Sequence, residues 1–105
     1  MRAGGAVTPT APHQELVRAL TSAAGEAHDV TRLRLSLAQR RGLAVLEAAL
    51  WGAADVAAHS PPSTIHGGDP VAWVESLAAC CPDVLPLPQC GALRVALLAV
   101  VDALT

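Results

Sequence analysis

The chain has 105 residues and a mass of 10.7 kDa, of which 52% are hydrophobic and 15% charged. That balance excludes a disordered chain, and the length suits one small domain with a single core. All seven basic residues are arginine and the net charge is −2, so no broad positive field would gather nucleic acid nonspecifically.

Lys, Asn, Phe and Tyr are absent, the bias of a GC-rich coding sequence, which leaves Trp51 and Trp73 as the large aromatic anchors. Packing must come from Leu, Val and Ala, all compatible with helix. The longest apolar run, residues 95–101, is too short to cross a bilayer. A soluble protein without membrane contact is expected, and its thin polar surface predicts apolar area that a partner covers.

Residues 1–9 carry Gly4, Gly5 and Pro9 without periodicity and read as a flexible lead into one helical domain over 10–105. Thr10 suits an N-cap, with Pro12 in the opening turn and Glu15 near the positive helix end. Leu16, Val17, Leu20, Ala23 and Ala24 share a face and Gly25 suits a stop, predicting a helix over 11–24.

Thr31 is the next candidate cap, and no proline follows until residue 61. Leu33, Leu37, Leu43, Leu46, Leu50 and Val56 recur at helical intervals, with Gly42 and Gly52 as weak points. The spacing predicts a helix over 31–58, a rod about 40 Å long that two short helices of the same chain would not cover. Beyond the break at 59–68, Asp69 caps, Pro70 takes the first position, and Val71, Val74, Leu77 and Ala78 mark the buried side of a helix over 70–81. Pro82 ends it. An irregular proline-rich stretch precedes a last helix over 92–104, in which Leu93, Leu97, Val100 and Leu104 share a face.

Short helix, long helix, short helix and an appended helix is the order of a histone fold. In that architecture two chains cross their long helices, and each loop supplies a small extended stretch. "DVT" at 29–31 and "STI" at 63–65 are candidates, with Val30 and Ile65 pointing inward. At the residue level "HSPPSTIHGGDPV", together with "QELVRALT" and "VLEAALWG", resembles the centromere protein X family of histone folds. The resemblance spans residues 14–81.

The resemblance implies a histone fold and pairing with a second histone-fold protein similar to centromere protein S. It also implies a place in a nuclear, DNA-associated assembly, at kinetochores or in Fanconi-type DNA repair. The expected partner interface is Val30, Leu43, Leu46, Leu50, Trp51 and Ile65. Double-stranded DNA would be met through the dimer by Arg32, Arg34, Arg40, Arg41 and Thr64, since arginine forks suit phosphate. Arg34 and Arg41, seven apart, would share a helix face.

Other chemistry is weakly signalled. Cys80, Cys81, Cys90 and His66 contain no C-x-x-C pair and fit no standard zinc spacing, so buried thiols in a reducing compartment are expected and no metal or cofactor. "HGG" at 66–68 lacks a G-x-S-x-G elbow or a convincing triad and reads as a turn. His13, His28 and His59 stand apart from ligand clusters. No catalytic residue or small-molecule substrate emerges. The competing expectation is a small four-helix adaptor or inhibitor of a high-GC bacterium or virus, without DNA contact.

Overall fold

A computed structural model describes residues 11–60 and 63–105, with the side chains of residues 11–13, Ser63 and His66 left undescribed. The expected lead over 1–9, the Thr10 cap, and Pro61 and Pro62 lie outside the described residues.

The described residues are all helical in their regular structure, with no strand. Helix α1 spans Ala11–Val30, α2 Leu37–His59, α3 Ser63–His66, α4 Pro70–Ala78 and α5 Gly91–Leu104, with a 3-10 turn over Pro88–Cys90.

Helix α1 runs through Gly25 because its apolar stripe continues. Leu16, Leu20, Ala23, Ala24, Ala27 and Val30 are all buried at three- and four-residue spacing, along α2 and α5. Burying that stripe outweighs the glycine, which costs about 1 kcal/mol against alanine. The helix expected to stop at 24 is therefore a turn and a half longer. Thr31, Arg32 and Leu33 close it with tight bonds back to His28, Asp29 and Val30.

Thr31 does not cap the second helix. Ser36 does, because its hydroxyl accepts the Gln39 backbone N–H at 3.1 Å while the Gln39 side chain accepts the Ser36 N–H at 2.8 Å. This reciprocal pair satisfies two donors that a helix start would leave open. Residues 31–36 become a connector, and α2 shortens to a rod of about 35 Å. The connector is pinned by Arg40, whose guanidinium donates to the Thr31 carbonyl at 2.9 Å and the Leu33 carbonyl at 3.2 Å.

Residues 63–65, expected to be extended, lie in the one-turn helix α3, and Asp29 and Val30 are the last residues of α1. An extended stretch needs a strand to exchange bonds with, and the described chain offers none. Gly67 and Gly68, at φ 61° and 102°, turn the backbone toward Asp69. There Asp69 Oδ1 accepts the Ala72 N–H at 3.0 Å and Pro70 opens α4. Helix α4 ends at Ala78 rather than 81, since Cys80 and Cys81 make tight turn bonds to Leu77 and Ala78.

The core is built mainly where α1 meets α2 and α5. Leu16, Leu20, Leu43, Leu46, Leu50, Leu93 and Val100 belong to this one core, all fully buried. Fully burying each such side chain stabilises by about 1.5–3 kcal/mol. The turn over 79–90 closes one end with Cys81, Val84 and Cys90 inside, and Arg94 straps it by donating to the carbonyls of Leu85 and Leu87. Gly42 lets this turn approach: a Cβ there would stand 2.3 Å from the Cys80 carbonyl oxygen.

Candidate functional site

The residues expected at a partner interface divide sharply. Leu43, Leu46 and Leu50 are fully buried and Val30 nearly so, covered by helices of the same chain, while Ile65 is half-buried against the core. The sequence identified the apolar face of α2 correctly but assigned its cover to a second polypeptide. A longer α1 supplies most of that cover.

Trp51 is different. It is 47% exposed, on the side of α2 away from the leucines, with Val45 at 56% and Leu37 at 64% exposure on the same helix. Its indole N–H donates to Glu47 Oε2 at 3.1 Å, and the other oxygen, Glu47 Oε1, lies 3.3 Å from His28 Nδ1 of α1. The ring is thus held in place at the surface, which lowers the entropy lost when a partner covers it. Val71, Val95 and Leu98 are further large apolar side chains left exposed on α4 and α5.

The arginines do not gather. Arg40 is committed to the connector carbonyls, and Arg32 reaches Asp29 at 3.9 Å. Arg34 lies before α2 begins, so the helix face expected to join it to Arg41 does not exist; both are exposed. Thr64, also exposed, sits in α3 past the far end of α2, about 35 Å of helix from the arginines. Within one chain the five do not form a single phosphate-binding patch.

Cys81 and Cys90 are buried free thiols and Cys80 is half-buried. Burial pushes the Cys81 thiol up from 9.0 to about 11, with neighbouring Cys80 and Cys90 adding to the rise. Cys90 is also raised by burial, against a smaller opposing pull from the Arg94 guanidinium. Burial thus favours the neutral thiol at both, the less nucleophilic form. Among the described residues no cluster of three His, Cys, Asp or Glu side chains could hold a metal ion. The His66 side chain lies outside them.

No described polar or charged side chain is buried. An open groove of about 560 Å³ between α1 and α5 places Glu15, Arg18 and Asp102 around alanines and Ser22. A smaller hollow of about 250 Å³ lies between Ser36, Gln39 and residues 80–84. Neither has the enclosed apolar lining with a few converging polar groups that marks a ligand site. No described helix is long and apolar enough to cross a membrane.

Family models, curated proteins and solved structures contain no match to this chain. Its geometry alone carries the functional reading.

Sequence reasoning overlooked Glu47 and Arg94, and assigned Arg40 to DNA rather than to the connector. Glu47, which orders Trp51, could have been seen from its i,i+4 spacing to the tryptophan. Arg40 and Arg94 bond to carbonyls seven to nine residues away, and no local pattern announces them.

Proposed function

We propose that this chain is a non-enzymatic pairing subunit, a small helical adaptor that works by holding another protein chain. What carries the proposal is the contrast on α2: Leu43, Leu46 and Leu50 are fully covered, yet Leu37, Val45 and a pre-ordered Trp51 remain exposed on other sides of the helix. Leaving a fixed tryptophan among exposed aliphatic side chains adds nothing to a finished core, and it supplies the kind of anchor that dominates protein interfaces. Neutral buried thiols, and the absence of any buried charge among the described residues, favour binding over catalysis.

The finer version is a histone-fold subunit paired with a centromere protein S-like chain, touching double-stranded DNA in a nuclear kinetochore or repair assembly. The order of elements favours it, with a central 23-residue helix preceded by α1 and followed by the short α4. Two observations weigh the other way, toward an adaptor without DNA. The leucines that a handshake would share are enclosed by the chain's own helices, and Arg40 is occupied by the connector.

Affinity purification of the tagged chain from its native source, with the mass of the isolated chain measured alongside, tests the proposal. A stoichiometric companion, or self-association, is expected. A histone-like companion whose complex loses DNA affinity when Arg32 and Arg34 become alanine would decide for the finer version. A chain recovered alone and monomeric would contradict both.

A further inference from the structure

Opposite the buried leucines, α2 presents one continuous exposed strip. Its middle is Ala44, Ala48 and Gly52 at four-residue spacing, flanked by Trp51 on one side and Val45 on the other. At its ends stand Arg41 and Asp55. Neither side chain has an ion pair or hydrogen bond among the described residues, so both charges are available to a partner.

This strip is complementary to itself when reversed. Arg41 and Asp55 lie seven residues to either side of Ala48. Two copies of α2 laid antiparallel, with a two-fold axis beside Ala48, therefore bring Arg41 of each copy opposite Asp55 of the other. Trp51 and Ala44 share one flank of the strip, so Trp51 of one copy comes over Ala44 of the second. On the other flank Val45 comes over Gly52 in the same way. Every large side chain meets a small one, and both charge pairs match.

Gly52 supports this independently of the charges. Glycine is disfavoured inside a helix, and a Cβ at 52 would meet nothing within 4 Å in its own chain. Its own fold gives no reason for a glycine there, whereas a close-packed second helix does. The Ala48 contact likewise demands a small side chain, because it is the point of closest approach.

We propose that a second copy of this chain docks antiparallel on the outer face of α2, with the two-fold axis at Ala48 and Trp51 seated over Ala44. The proposal rests on the reading of the chain as a pairing subunit and names its partner. It uses the face of α2 opposite to Leu43, Leu46 and Leu50, so neither chain has to open its core. An isologous contact of this kind closes at two subunits and leaves no free face to propagate.

Light scattering on the purified chain tests it, with the expected mass twice 10.7 kDa. Ala48→Arg is expected to give the monomer. Arg41→Asp and Asp55→Arg should each weaken the dimer by about tenfold or more, since each places two like-charge pairs across the axis. The double variant Arg41→Asp with Asp55→Arg should restore it. Far-UV circular dichroism checks that each variant is folded, and should Ala48→Arg fail to fold, the three charge variants carry the test. A wild-type monomer, a dimer indifferent to Ala48→Arg and the single reversals, or a double variant that stays weak would overturn it. A monomer that still holds a companion from its native source sinks only this inference, whereas a monomer without one sinks the pairing reading too.

Discussion

Replacing Gly42 by alanine sets two effects of opposite sign against each other. Alanine is favoured over glycine inside a helix by about 1 kcal/mol. Against that, the new Cβ would lie 2.3 Å from the Cys80 carbonyl oxygen, 3.4 Å from its carbon and 3.6 Å from Cys81 Sγ. The nearest atom is backbone and cannot rotate away, so the turn over 79–90 must move with Cys81, Val84 and the Arg94 strap. Overpacking of this kind costs about 1–3 kcal/mol, and the short approach argues for the upper half of that range. The net expectation is a loss of about 1–2 kcal/mol, or about 5–10 °C in Tm for a domain of this size. Gly25→Ala is the control, because the same exchange in α1 meets nothing within 4 Å and should stabilise. Thermal and urea unfolding of both variants, followed by far-UV circular dichroism, reads the difference, in which the propensity contribution cancels. If Gly42→Ala proves as stable as Gly25→Ala, the close packing of the cysteine turn on α2 is wrong.

Truncating Leu46 to alanine should cost about 2–5 kcal/mol by urea unfolding of the isolated chain, since its cover comes from within the chain. Arg40→Met keeps the stem but removes two donors from the connector carbonyls, and a loss of about 1 kcal/mol is expected in the same assay. A thiol reagent applied to the native protein should modify Cys80 well before Cys81 or Cys90, and equal rates would contradict the burial. Because the folded Cys81 thiol sits near 11 against 9.0 when unfolded, its contribution to stability is whole below pH 9 and is lost as pH rises from 9 toward 11. Stability measured across that interval should fall less steeply in Cys81→Ala than in the wild type.

The apolar faces were legible in the sequence because they depend on local periodicity. Leu16 and Leu20, Leu43, Leu46 and Leu50 of α2, Val74 and Leu77, and Leu93 with Val100 are inside where their spacing put them, whereas Leu37 and Val71, assigned to the same faces, stand exposed in the first turns of their helices. What periodicity does not state is which element covers a face. Gly25 looked like a stop, and ending α1 there left α2 apparently uncovered, which created the need for a second chain. Ala27 and Val30 carry the stripe one and a half turns further and remove it. Ser36 with Gln39 was a readable capping signature, outcompeted by the equally plausible Thr31. The antiparallel match of the α2 strip was invisible while its leucines were assigned to a partner, because only a known buried side defines the opposite one. Gly42, read as a weak point, is a contact set by residues about forty positions away, beyond any local rule.

The most direct measurement is hydrogen exchange on the isolated Ala48→Arg variant, with no other protein present. If α1 completes the core over α2, the backbone amides of Leu43, Leu46 and Leu50 should exchange only through global unfolding, with a single cooperative transition. Rapid exchange along α2 that slows only on adding a second polypeptide would contradict the account, and would return those leucines to a shared interface.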